Sequence, residues 1–327
     1  IIVYRLRFDY DLVEIIRSFP IYLTPIFIFR FFEACHISRS FIFSAIRSSI
    51  YIYVMYAGLQ FFGIDILGMY DPQRVIGGRG FTSLANEPSM FGFIITLLMA
   101  SMLIAKEGNW LDWFFYSIGI LLCGSASALI CSIPLLATLF SLRFLVGLST
   151  IFIAMLFLFS FGLVEFNIET ILTPRLISLI QVSGLDLLLL DRSINERVGH
   201  VVFIFTNPTH FLIGGTDGWG LSYREFITLG NNPFLYGVPR NSILSGIGAI
   251  IFDGGILGIF YIMLVIKLSK LSFRNMSART ALIFIGIFFV GIQSVTFANP
   301  LLTLPLACSA LAYNRKQKLN YKNNEKL

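Results

Sequence analysis

Divided at charged and turn-forming residues, the chain falls into nine apolar runs, at about 19–33, 48–66, 89–105, 113–124, 127–142, 144–163, 243–266, 281–297 and 300–313. Most approach the roughly 20 residues a helix needs to cross a bilayer core of about 30 Å. None alternates apolar and polar positions as a strand of a barrel wall does, so the pattern predicts helices. A helix also satisfies its own backbone polar groups, which lipid cannot do. The predicted fold class is therefore all-α, a polytopic integral membrane protein with about nine transmembrane helices. Pro20, Pro25 and Arg30 interrupt the first run. Gly124, Ser125, Ala126 and Ser127, between the fourth and fifth, read either as a turn or as a small-residue packing seam.

Composition agrees with this pattern. Of 327 residues, 56% are hydrophobic and 13% charged, where a soluble domain averages about 25% charged. The mean hydropathy is +0.81, which leaves too little polar surface to coat a water-facing body. Cys35, Cys123, Cys131 and Cys308 lie in or beside apolar runs, without a CxxC pair or a histidine at metal-ligand spacing, and read as small core residues. No metal or cofactor is expected. The net charge of +6 has its clearest cluster in Arg315, Lys316, Lys318, Lys322 and Lys326, just after an apolar run. That placement reads as a cytoplasmic anchor and not as a nucleic-acid surface. The chain begins with Ile1 and shows no signal peptide, so one or more further N-terminal spans are expected.

Lysine placement orients the spans. Alternating crossings put all seven lysines, at 106, 267, 270, 316, 318, 322 and 326, on one side, which the positive-inside rule makes cytoplasmic. The same parity places Arg143, Arg274 and Arg279 inside and exports two loops. The expected organisation is an N-terminal transmembrane bundle (1–163) with external loop 67–88, a long external loop (164–242), C-terminal transmembrane helices (243–313) and a basic cytoplasmic tail (314–327). A 164–242 loop far exceeds ordinary connections and is expected to be functional. Its apolar stretches Leu185 to Leu190 and Val201 to Phe205 suggest short helices lying at or re-entering the outer face.

The exported loops carry seven arginines and no lysine: Arg74, Arg79, Arg175, Arg192, Arg197, Arg224 and Arg240. Arginine presents a planar fork that grips phosphate or carboxylate in a bidentate way, so this surface suits a lipid-linked phosphate or pyrophosphate. The plainer reading pairs these arginines with the acids of the long loop, Glu165, Glu169, Asp186, Asp191, Glu196, Asp217 and Glu225. In the first loop, Gly77-Gly78-Arg79-Gly80 leads to Asn86-Glu87-Pro88-Ser89 at the head of a run. Glu87 there either caps a helix or waits as a proton acceptor for a sugar hydroxyl. The glycine run lacks the GK[ST] ending of a nucleotide P-loop. The long loop holds Asp191 to His200, then His210, then Gly214 to Gly220 around Trp219. If 191–200 is helical, Arg192 and Glu196, and Glu196 and His200, share a face four residues apart. His200 and His210 are then candidate bases, or ordinary polar residues. Arg240-Asn241-Ser242 leads into the run containing Asp253-Gly254-Gly255. An acid inside a span is by default functional, with helix packing the alternative.

These features together resemble the O-antigen polymerase (Wzy-like) family and, more distantly, the O-antigen ligases. The carriers are the block from Arg79 to Glu87-Pro88-Ser89, the block from Arg192 to Arg197 followed by the glycine-rich turn at 214–220, and Arg240-Asn241-Ser242 before an acid-Gly-Gly step. The resemblance is one of layout and short motifs over most of the chain. Many members carry a histidine where this chain has Arg240. The departure shifts the base to Glu87, His200 or His210. The resemblance implies a membrane glycosyltransferase in the bacterial inner membrane, its active site facing the periplasm. It would polymerise undecaprenyl-pyrophosphate-linked oligosaccharide repeats without a cofactor, with a chain-length regulator as a further partner. Arg79, Arg192, Arg197, Arg240 and Asn241 would hold the pyrophosphate, and Asp253 would be an intramembrane polar group. The rivals are ligation of the glycan to lipid A core, and a flippase or transporter.

Overall fold

The computed structural model describes residues 12–34, 38–68, 80–139, 212, 245–269, 277–293 and 299–324. All regular structure among them is α-helix. In chain order the helices are α1 (Leu12–Ala34), α2 (Arg39–Phe61), α3 (Pro88–Ile104), α4 (Trp110–Cys123), α5 (Ala126–Ala137), α6 (Gly246–Gly254), α7 (Ile256–Leu268), α8 (Ala278–Gln293) and α9 (Pro300–Asn324). The all-α expectation holds. One stretch, Ser40–Phe61 of α2, is long and apolar enough to cross a bilayer on length and composition; the other apolar helices among the described residues are shorter.

Helix ends follow local chemistry. The Ser38 hydroxyl accepts from the Phe41 amide and starts α2, and Asn109 and Asp112 form a reciprocal capping box at α4. At the far end of α2, Gly63 takes φ 77°. Its amide donates to the Gln60 carbonyl, and the Ile64 amide donates to the Leu59 carbonyl at 2.9 Å, the two bonds of a Schellman stop. Between α4 and α5 the chain turns at Gly124, φ 55°, and the Ser125 hydroxyl caps α5. The small residues at 124–127 are therefore a turn, and Ala128 one step on packs against Gly92, where a side chain would overlap its Cβ.

α3 is the centre. It packs against α2, α4, α5, α8 and α9, and Phe91, Phe93, Ile95, Met99 and Met102 are wholly buried. Close packing requires glycine at the contacts: a Cβ at Gly92 would strike Ala128 and Cys123, and one at Gly119 would strike Ile95 and Val54. Cys123, Cys131 and Cys308 are buried and in no disulfide, and the Cys123 thiol donates to the Pro88 carbonyl.

α2 and α4 are joined by a charged clasp. The Arg47 Nε donates to Asp112 Oδ1 at 2.9 Å and its Nη2 to the Glu107 carbonyl at 3.0 Å. The Tyr51 hydroxyl donates to Asp112 Oδ1 at 2.8 Å, and the Asn109 amide to Oδ2 at 2.9 Å. With so many donors the fully buried carboxylate needs no water.

Several expectations need correction. The run at 48–66 was expected to be a single span, but the helix covers Arg39–Phe61 and residues 62–68 form a turn. Arg47 does not end it, because Asp112 neutralises the charge that hydropathy counts as a break. The run at 243–266 is two helices. Gly255 takes φ 54° and ψ −133°, a conformation essentially reserved for glycine. The chain there bends so tightly that a Cβ on Gly258 would overlap the Ile250 carbonyl. Run 144–163 and loop 164–242, apart from Leu212, lie outside the described residues.

Asp112→Ala leaves the Arg47 charge without its carboxylate. The expected loss is about 3 kcal/mol, the low end for a broken buried pair because Arg47 is partly exposed. Arg47→Met combined with Asp112→Leu should recover most of it, and unfolding curves of the purified protein measure both.

Candidate functional site

The loop Gly80–Glu87 leads into the head of α3. Gly80 lies against the C-terminus of α4 so closely that a Cβ there would overlap the Cys123 carbonyl. Its successor Phe81 donates its amide to the Leu122 carbonyl at 2.9 Å. On the other flank, Ser83 pairs with Gln60 of α2. The Ser83 amide donates to Gln60 Oε1 at 2.8 Å, and Gln60 Nε2 donates to the Ser83 carbonyl at 3.3 Å. The Ser83 hydroxyl donates to the Tyr53 carbonyl at 2.5 Å. Ser83 has φ 53°, a left-handed value uncommon for serine, and this set of bonds on a fully buried residue holds it there. The Phe61 and Phe81 rings meet edge to face at 5.8 Å. The loop is thus tied to α2 and α4 before it delivers Glu87.

Glu87 stands at the N-cap of α3, with extended backbone and with no side-chain cap bond. Pro88 follows at the first helical position, where its missing N–H costs nothing. The Glu87 side chain is exposed, and Ser89 Oγ donates to its Oε2 at 3.4 Å. Of the two readings open to this residue, capping is therefore not what its carboxylate does. The group faces outward at the N-terminal end of α3. At the opposite end of α3 lie the exposed Lys106 and the Arg47–Asp112 clasp. With 17 residues in α3, the two ends are about 25 Å apart.

Of the other candidates, Arg79, Arg192, Arg197, Arg240, Asn241, His200 and His210 lie outside the described residues. Asp253 falls in the last turn of α6, two residues before the break at Gly255. Among the described residues no group of three or more His, Cys, Asp or Glu is placed to hold a metal.

Two features escaped the sequence reading. The Gln60–Ser83 pairing had no signal beyond a glutamine near the end of an apolar run. Asp112 had one, the Asn109-x-x-Asp112 spacing of a capping box just ahead of the run at 113–124. Comparison with protein-family models, with curated proteins and with solved structures gives no match to this chain.

Gly80→Ala is expected to displace the loop and lower thermal stability, because the added Cβ has only the Cys123 backbone to meet. Glu87→Gln removes an exposed group that caps nothing and should shift stability by less than about 0.5 kcal/mol. Melting curves of the two variants, recorded side by side, check the contrast.

Proposed function

We propose that this chain is a polytopic inner-membrane glycosyltransferase that polymerises undecaprenyl-pyrophosphate-linked oligosaccharide repeats at the periplasmic face. The observation that carries the reading is Glu87, an outward-facing carboxylate at the head of the central helix, on a loop fixed to two neighbouring helices. It lies at the end of α3 away from Lys106, the end the lysine distribution assigns to the periplasm. Embedding in lipid is supported by the distribution of polarity. Large apolar side chains such as Phe27, Phe41, Met55, Phe114, Ile133, Phe260 and Phe288 are exposed, while Thr96, Ser101, Asp112, Ser132 and Thr303 are fully buried. A protein solvated by hydrocarbon has no need to hide the former.

In the proposed reaction the growing glycan leaves its lipid pyrophosphate and is taken by a hydroxyl of the next repeat. The glycosyl carbon exchanges its bond to pyrophosphate oxygen for one to the acceptor oxygen. The hydroxyl proton passes to a base, for which Glu87 is the first candidate and His200 and His210 the alternatives. The departing pyrophosphate carries the charge, and Arg79, Arg192, Arg197 and Arg240, with Asn241, would neutralise and orient it. A chain-length regulator is a fitting partner for such a polymerase.

The break at Gly255 favours a second reading. Discontinuous helices that place a polar group within a bundle are a feature of secondary transporters, and Asp253 lies beside this one. A transporter would carry the lipid-linked repeat across the membrane instead of joining repeats.

Lipopolysaccharide from a deletion strain, resolved on a gel, separates these readings. Loss of the polymerase should leave core bearing one repeat. Restoration with the wild-type gene should return the ladder, whereas Arg79→Ala, Arg240→Ala and Glu87→Gln, inserted at normal levels, should not. A full ladder from both arginine variants would overturn the assignment. Loss of all capped core points to transport or ligation.

A further inference from the structure

The end of α2 and the turn after it are made almost entirely of large apolar residues that face outward. Phe61, Phe62, Ile64, Ile66 and Leu67 are all exposed, Phe62 to 77% and Ile66 to 71%. A short surface turn in water usually carries polar residues; this one, Gln60 to Gly68, contains no lysine or arginine and a single acid, Asp65. That acid is drawn inward. The buried Tyr56 hydroxyl donates to Asp65 Oδ1 at 2.6 Å and accepts from the Leu67 amide at 2.9 Å. One tyrosine thus pins both ends of the Asp65–Leu67 segment and leaves the apolar side chains outside.

The turn also continues a stripe. Phe41, Ala45, Ser48, Ile52, Met55 and Phe62 recur at intervals of four, three, four, three and seven, and all are exposed. That spacing is one face of a helix, running along the one helix long and apolar enough to cross a bilayer and ending in the turn. The surface that faces lipid along α2 therefore does not stop where the helix stops.

We infer that the Phe61–Leu67 turn is an interfacial anchor, seated in the outer leaflet where acyl chains meet headgroups, and that it sets the depth of the Gly80–Glu87 loop. The coupling runs through the adjacent Gln60, bonded to Ser83, and through the Phe61 ring on Phe81. A lipid-linked donor presents its pyrophosphate at that same headgroup level, so the anchor brings the candidate site to the substrate's depth. The inference rests on the membrane reading given under Proposed function.

Spin labels on single cysteines, in the full chain reconstituted into vesicles of phosphatidylethanolamine and phosphatidylglycerol, test it by their relative exposure to dissolved oxygen and to a water-soluble nickel chelate. The labelled sites are Phe62→Cys and Ile66→Cys, with Leu67→Cys as an independent position should either fail to insert. Ile52→Cys reports the middle of α2, and Asn86→Cys the loop. The expected result is oxygen-dominated relaxation at 52, 62 and 66, with 62 and 66 shallower than 52, and nickel-dominated relaxation at 86. Nickel-dominated relaxation at 62, 66 and 67 with oxygen-dominated relaxation at 52 would overturn the anchor and leave the membrane reading standing. Nickel-dominated relaxation at 52 as well would overturn both.

Discussion

The burial of α3 on every side is the constraint from which the rest follows. A helix enclosed by five others can sit close to them only where side chains are small, and Gly92, Gly119 and the facing Ala128 meet that demand. Once α3 is fixed, both of its ends are fixed. Its N-terminus is held by the Cys123 thiol on the Pro88 carbonyl, and the turn beyond its C-terminus by the Arg47 guanidinium on the Glu107 carbonyl. The Gly80–Glu87 loop and the charged clasp are thus attachments to the two ends of one rigid rod, which keeps the exposed carboxylate well away from the buried ion pair.

How much of this the sequence disclosed depends on whether the deciding factor was local. α3 was expected at 89–105 and occupies Pro88–Ile104, because Pro88 opens it and Lys106 with Gly108 closes it, all signals carried by the neighbouring residues. The start of α2 was missed by nine residues for the opposite reason. Arg39 and Arg47 look like interruptions to a hydropathy count, and only a partner 65 positions away makes Arg47 acceptable inside the bundle. The break at Gly255 was also invisible to hydropathy, since Gly254 and Gly255 are apolar enough to continue a run and differ only in the backbone angles they permit.

The candidate site was legible in the same uneven way. The residue Glu87 could be singled out from its place before Pro88, but its role could not, since a cap and a free carboxylate share that sequence. The structure separates the two by showing a helix start with no side-chain cap bond. The anchoring of the loop depends on Gln60 meeting Ser83 and on Gly80 meeting Cys123, contacts between segments 23 and about 40 positions apart that no periodicity encodes. The remaining candidates, His200 and His210 and the arginines, fall outside the described residues, and for them residue type and spacing are the whole argument.

The clasp between Arg47 and Asp112 also bears on the order of assembly. During synthesis Arg47 leaves the ribosome 65 residues ahead of Asp112, so for that interval its charge lacks the carboxylate that pairs with it in the folded chain. The contact between α2 and α4 therefore closes only when α4 arrives, and by then α3, which lies between them in the chain, is already made. Closing the clasp ties together two helices that both pack on α3, so one ion pair formed across 65 residues joins three helices.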